Sequence, residues 1–141
     1  MRQLYNLIEL VASINSPVLL TGESGTGQSV VARTIHDVSR RSDGPFIILN
    51  CATVTESLLE AELFGHRSSK YKSASCYRGL LELAHIGTLV LDEFDAMPLF
   101  LQTEVLRVLN RGTLQGASDT HEMPLDVRLI GITTIYTKDE R

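Results

Sequence analysis

Apolar residues run along this chain in two alternating rhythms, short unbroken runs and stretches with helical spacing, and the alternation predicts the order of elements. Residues 1–16 carry Leu4, Leu7, Ile8 and Val11 on one helix face. Pro17 to Gly22 is a short apolar run halted by glycine, the pattern of a buried strand feeding a turn. From Ser29 to Arg41, the residues Val30, Val31, Ile35 and Val38 return to helical intervals, and Ser-Asp-Gly-Pro closes the stretch. Pro45 to Asn50 reads as a second buried strand. Thr55 stands where a cap belongs, ahead of a helix whose Leu58, Leu59, Glu62 and Leu63 share a side and whose stop is Gly65. His66 to Tyr77 is polar and without period, so a surface loop is expected there. A short helix over Arg78 to Ala84 leads into Gly87 to Glu93, a third buried strand ending in two acids. Pro98 opens a helix with Leu101, Val105, Leu106 and Leu109 on one side and Gly112 as its stop. Thr113 to Asp126 predicts a hairpin or an irregular excursion, and Val127 to Thr134 a fourth strand.

Strands separated by helices require crossover connections, so the expected class is α/β, a three-layer α-β-α arrangement around a parallel sheet. The 141 residues suit one domain, and 43% hydrophobic with 21% charged residues excludes a disordered chain. A formal net charge of -4 lacks the basic footprint of a nucleic-acid binder, so no direct DNA contact is expected. Cys51 and Cys76 form neither a CxxC pair nor a disulfide framework, which suits the reducing cytoplasm. No apolar run of about 18 residues exists, so no membrane span is expected. His36, His66, His85 and His121 lack metal-ligand spacing and are expected on helix faces or the surface.

The chemistry gathers in two places. Gly22, Glu23, Ser24, Gly25, Thr26, Gly27, Gln28 and Ser29 form a glycine-rich turn between a strand and a helix. They match the phosphate-cradling form GxxxxGK[ST] at every fixed position except Gln28, which stands where lysine belongs. Such a turn points successive N–H groups inward, and the helix adds its positive dipole end, so a polyphosphate fits. Ser29 would offer its hydroxyl oxygen to Mg²⁺. Glutamine can donate a neutral hydrogen bond but cannot neutralise phosphate charge; the difference between charged and neutral bonds, about 1 kcal/mol, predicts binding at least several-fold weaker. The second place is Thr88 to Glu93, an aliphatic strand ending in Asp92 and Glu93. Asp92 would hold the magnesium shell and Glu93 would polarise an attacking water.

The segments VLLTGESGTG, RSDGPFIILNCA, LLEAELFGH, GLLELAHIGTLVLDE, MPLFLQTEVLRVL and DVRLIGITT together resemble the central AAA+ domain of sigma-54-dependent transcription activators, from Pro17 to Thr134 and in that family's order. The resemblance implies a P-loop ATPase binding ATP and Mg²⁺, assembling as a homo-oligomeric ring and regulating transcription, in some members as a response regulator. It assigns Asn50 to restraining Glu93 until nucleotide is sensed, and Thr133 to the polar sensor at the end of the fourth strand, followed by Thr134 where the family places asparagine. These activators grip the sigma-54 factor through a GAFTGA loop; here the aligned residues are SKYKSA, Ser69 to Ala74, which sets the chain against sigma-54 engagement. The family's arginine finger, lid subdomain and DNA-binding domain fall past Arg141, so residues 1–141 are expected to be one nucleotide-binding subdomain of a longer regulator. Hydrolysis without an arginine finger is expected to be impaired. The rival expectation is a pseudo-ATPase that keeps the fold for oligomerisation or partner docking, without turnover or sigma-54 contact.

Overall fold

Both faces of a four-stranded parallel sheet are covered by helices, in the computed structural model that describes residues 2–22, 27–65, 78–115 and 122–134. The elements run α1 (Arg2–Ser13), β1 (Val18–Gly22), α2 (Gln28–Val38), β2 (Phe46–Asn50), α3 (Glu56–Phe64), α4 (Leu80–Leu83), β3 (Thr88–Asp92), α5 (Leu99–Arg111), β4 (Thr113–Gln115), β5 (Glu122–Pro124) and β6 (Arg128–Thr134). The main sheet has the order β1-β6-β3-β2 with every pair parallel, and β4 and β5 form the antiparallel hairpin expected between α5 and β6.

The period of two along the central strands sorts their side chains between two cores. Val90 of β3 and Ile130 and Ile132 of β6 pack with Ile8 and Ala12 of α1 and Ala32 and Ile35 of α2. Leu89 and Leu91 of β3 and Leu129 of β6 turn the other way, onto Leu59 and Leu63 of α3, Leu81 of α4 and Leu101, Val105 and Val108 of α5. Each fully buried leucine or isoleucine contributes about 1.5–3 kcal/mol, so β3 and β6 carry much of the stability.

Two expected buried strands are half-exposed instead. Leu19 of β1 is 58% exposed and Ile48 of β2 is 48% exposed. Both strands lie at the ends of the sheet order and have a single strand neighbour among the described residues, so alternate side chains stay in solvent although the sequence is uniformly apolar. The helix faces also differ in rotation from the sequence pattern. In α1 the inward residues are Ile8, Val11 and Ala12, while Leu4 and Leu7 are exposed; in α2 Val30 and Val38 are exposed and Ala32, Ile35 and His36 face inward.

The punctuation holds closely. The Thr55 hydroxyl accepts from the Leu58 amide at the start of α3, and Gly112 ends α5 at φ 72°, a left-handed conformation that glycine adopts without a Cβ penalty.

Polar clamps absent from the sequence reading fix α1 to the rest. Arg128, at the first position of β6 and 2% exposed, donates to the carbonyls of Val11 (2.7 Å) and Ala12 (3.3 Å). These belong to the last turn of α1, where carbonyls lack intrahelical donors. Arg41 donates to Asn15 Oδ1 and to the carbonyls of Gly87 and Asp126, and pairs with the Asp126 carboxylate. Burial first, then the neighbouring Arg41, pushes the Arg128 pKa below its usual value. His36, expected on a helix face or the surface, is buried. Its Nδ1 lies 2.8 Å from Thr88 Oγ1 and its ring packs on Phe46, 5.0 Å between centroids.

Candidate functional site

At the carboxyl ends of the strands, Gly27, Gln28, Ser29, Asp92, Glu93, Ile132 and Thr134 line one open cleft of about 410 Å³. The first three come from the entry to α2, the acids from the end of β3, and the last two from the end of β6, so the sheet order β1-β6-β3 is what brings them together. Open α/β sheets bind ligands at this edge because loops and helix N-termini converge there.

Gly27 caps α2 at φ 80°, ψ 28°, a left-handed conformation suited to a residue without Cβ. The helical ladder begins with Val31 N–H donating to the Gly27 carbonyl at 3.1 Å. The amides of Gln28, Ser29 and Val30 therefore have no intrahelical acceptor and form the donor end of the α2 dipole. Gln28 extends from this end across to β6, where its Nε2 donates to the Thr133 carbonyl at 3.1 Å. Glu23, Ser24, Gly25 and Thr26 lie outside the described residues, as does the SKYKSA segment, Ser69 to Ala74. Gly22 ends β1 in register with Thr134.

Opposite the helix entry, Asp92 Oδ1 accepts from the Glu93 amide at 2.9 Å, and Glu93 sits at φ 52°, ψ 51°. A left-handed conformation at a non-glycine residue costs about 1 kcal/mol, here met by that bond and by Ala96 N–H donating to the Glu93 carbonyl at 2.9 Å. The chain turns sharply at this point and leaves both acids along the cleft. Ser29 and Asp92 thus present a hydroxyl and a carboxylate to the same space, the oxygen donors that a hard divalent cation takes, so the residues present fit Mg²⁺.

Asn50 is the register partner of Asp92 on the neighbouring strand, and Cys51 N–H donates to the Asp92 carbonyl at 2.9 Å. The Asn50 Oδ1 accepts from the Ala52 amide at 2.9 Å, which ties the side chain into the turn after β2; no hydrogen bond joins it to Glu93. Beneath this turn the buried Cys51 thiol is pushed up to about 12, chiefly by burial and then by Asp92, Glu93 and Asp95. Thr133 contributes its carbonyl, whereas the cleft lining at the end of β6 comes from Ile132 and Thr134. Alternation along the strand decides this: positions 130, 132 and 134 share the face toward α2. Ile132 had no signal in the sequence beyond its apolar character.

Comparison with known protein families matches residues 1–140 to the sigma-54 interaction domain. The chain belongs to that family. Its relatives include the Nif-specific regulatory protein of Rhizobium leguminosarum bv. trifolii, 42% identical over 134 residues, which are 94% of this chain and 38% of that regulator. This sigma-54 interaction domain therefore spans well under half the length of the curated relatives it matches. Among solved structures it is similar to NtrX from Brucella abortus in complex with ATP, at 41% identity and a TM-score of 0.81 over 96% of this chain and 30% of that one. The P-loop NTPase domain of a sigma-54 activator from E. coli, 22% identical with a TM-score of 0.59 over 94% of this chain and 72% of that one, shares the fold. The domain is thus of the α/β P-loop NTPase class expected from the sequence. Among its described residues no helix is long and apolar enough to cross a membrane.

Proposed function

We propose that this sigma-54 interaction domain binds Mg²⁺–ATP weakly and is impaired in hydrolysis, as one nucleotide-binding subdomain spanning residues 1–141 of a transcription regulator. The observation that carries the reading is the facing of the α2 amide end and the acids of β3 across one cleft, with Gln28 between them. Gly27 and the amides of Gln28 to Val30, which have no acceptor within the helix, would receive phosphate oxygens. Ser29 and Asp92 would hold Mg²⁺, which when bound would neutralise phosphate charge. Glu93 would orient and deprotonate water. Gln28 offers only neutral donors, one of them given to the Thr133 carbonyl, so it cannot supply the charge that stabilises the transferring phosphoryl group. That ATP occupies the similar structure of NtrX supports the binding step.

Asn50 and Thr133 enter this reading as the residues through which nucleotide state reaches the strand ends: Asn50 by contacting Glu93 once ligand repositions it, Thr133 through its bond to Gln28. The family implies sigma-54 as partner, and assembly into a homo-oligomeric ring. SKYKSA in place of GAFTGA argues that sigma-54 contact is lost in this member. The Gln28–Thr133 bond also favours a second reading, a pseudo-ATPase whose fold serves oligomerisation or partner docking, because that bond holds the cleft together without ligand.

Titration with a fluorescent ATP analogue in Mg²⁺, native chain against Gln28→Lys, tests the proposal. Weak binding by the native chain, strengthened about tenfold or more by lysine, is expected. Absence of binding in both forms would leave the scaffold reading.

A further inference from the structure

Two acids and no cation line the described part of the cleft. Among the described residues, Asp92 and Glu93 line it and no lysine or arginine does, and the sequence from Gly22 to Ser29 contains Glu23 and no lysine or arginine. Gln28 cannot offset this. The Thr133 carbonyl accepts a hydrogen bond and donates none, so the amide must turn its Nε2 toward it; flipping the amide would set oxygen against oxygen. What Gln28 has left over is its amide oxygen and the second hydrogen of Nε2, an acceptor and a neutral donor with no net charge between them. Among the described residues, what meets an anion is the set of backbone amides at the start of α2, partial charges only. A nucleoside triphosphate adds several more negative charges to a space that already repels them.

We infer that Gln28 makes nucleotide binding in this cleft strictly dependent on a divalent cation, so that only the metal–nucleotide complex, and never the free nucleotide, is held. The inference rests on the nucleotide-binding reading above and concerns the order of events at the same site. With a lysine at this position one full positive charge would face the phosphates whether or not metal is present. With glutamine that charge would come from Mg²⁺, which Ser29 and Asp92 would hold and which would offset the charge of the carboxylates and the phosphates. Asp92 would thereby change from a repulsive neighbour into a ligand only with metal bound. The chain's own residues thus gate nucleotide by metal concentration.

The test is equilibrium binding of a fluorescent ATP analogue to the 141-residue chain, with Mg²⁺ and with EDTA, for the native protein, Gln28→Lys and Gln28→Ala. The native chain and Gln28→Ala are expected to lose affinity on the order of a hundredfold or more when metal is removed, the scale of one unit-charge contact in a partly screened cleft. Gln28→Lys is expected to lose no more than about tenfold. The alanine variant separates charge from the bond to Thr133, since it removes the bond and restores no charge. Equal metal dependence in the native and lysine forms would overturn the inference while leaving the nucleotide reading intact. Failure of every form to bind in Mg²⁺ would overturn both.

Discussion

Gln28 and Thr133 are joined across the cleft by one hydrogen bond, from a side-chain amide to a main-chain carbonyl 3.1 Å away. It links the first residue of α2 to the end of β6 and is partly shielded from water. A neutral bond of this kind contributes about 1 kcal/mol. Gln28→Ala should therefore lower the thermal midpoint of the ligand-free chain by about 3 °C, measured by circular dichroism. An unchanged midpoint would show that the bond adds nothing in solution.

Arg128 should matter more. Replacing it with methionine keeps much of the buried volume but leaves the Val11 and Ala12 carbonyls without their charged donor. The expected cost is about 2–3 kcal/mol, read as a fall in the urea midpoint. Because the donors serve α1, amide exchange there should accelerate more than in β3. Uniform exchange changes would mean that Arg128 supports the whole sheet rather than this one helix.

Burial holds the His36 imidazole below its ordinary pKa of 6.5, with Asp37 opposing and Arg33 reinforcing the shift. The folded protein keeps the ring neutral, so its contribution is full above the unfolded value and declines as pH falls through 6.5 toward the lower folded value. In that window the slope is at most about 1.4 kcal/mol per pH unit. Urea unfolding between pH 5 and 8 should show the decline in the native protein and a shallower one in His36→Gln. Parallel curves for the two proteins would remove His36 as its source.

Cys51 should be inert. A buried thiol pushed up to about 12 has almost no thiolate at pH 8, and the thiolate is the nucleophile. Iodoacetamide should leave the Cys51 peptide unmodified in the folded chain and alkylate it in urea, as followed by mass spectrometry. Rapid labelling without denaturant would mean that the turn after β2 opens readily.

The parts of this fold legible in sequence were those decided by neighbours along the chain. Thr55, Gly65 and Gly112 act where local capping rules put them, and Gly27 to Ser29 line one cleft with the Asp92–Glu93 pair because a strand-to-helix alternation leaves their ends on one edge. Decisions made by distant neighbours were not legible. Uniformly apolar strands do not tell how many partners they will have, so Pro17 to Gly22 and Pro45 to Asn50 read as buried although Leu19 and Ile48 are exposed. Large apolar residues dominate a periodicity reading, which rotated α1 and α2 away from Ala12 and Ala32, the small residues of their packed faces. Parity along β6 was likewise hidden, and so Thr134, not the Thr133 side chain, reaches the cleft. Neither the Gln28–Thr133 bond nor the Arg128 clamp has any local signature, since each joins residues far apart in sequence.

The pairing of Val18 with Ile130 and of Gly22 with Thr134 has a further consequence for how the molecule comes into being. During translation β1 emerges early and must wait for a strand made long after it. Hydrophobic packing of α3 on α4 and the docking of β2 on β3 can proceed on the ribosome, because their contacts close within shorter spans. The ligand cleft, by contrast, cannot close before β6 has been made, because β6 lies between β1 and β3 and joins the two halves of the sheet.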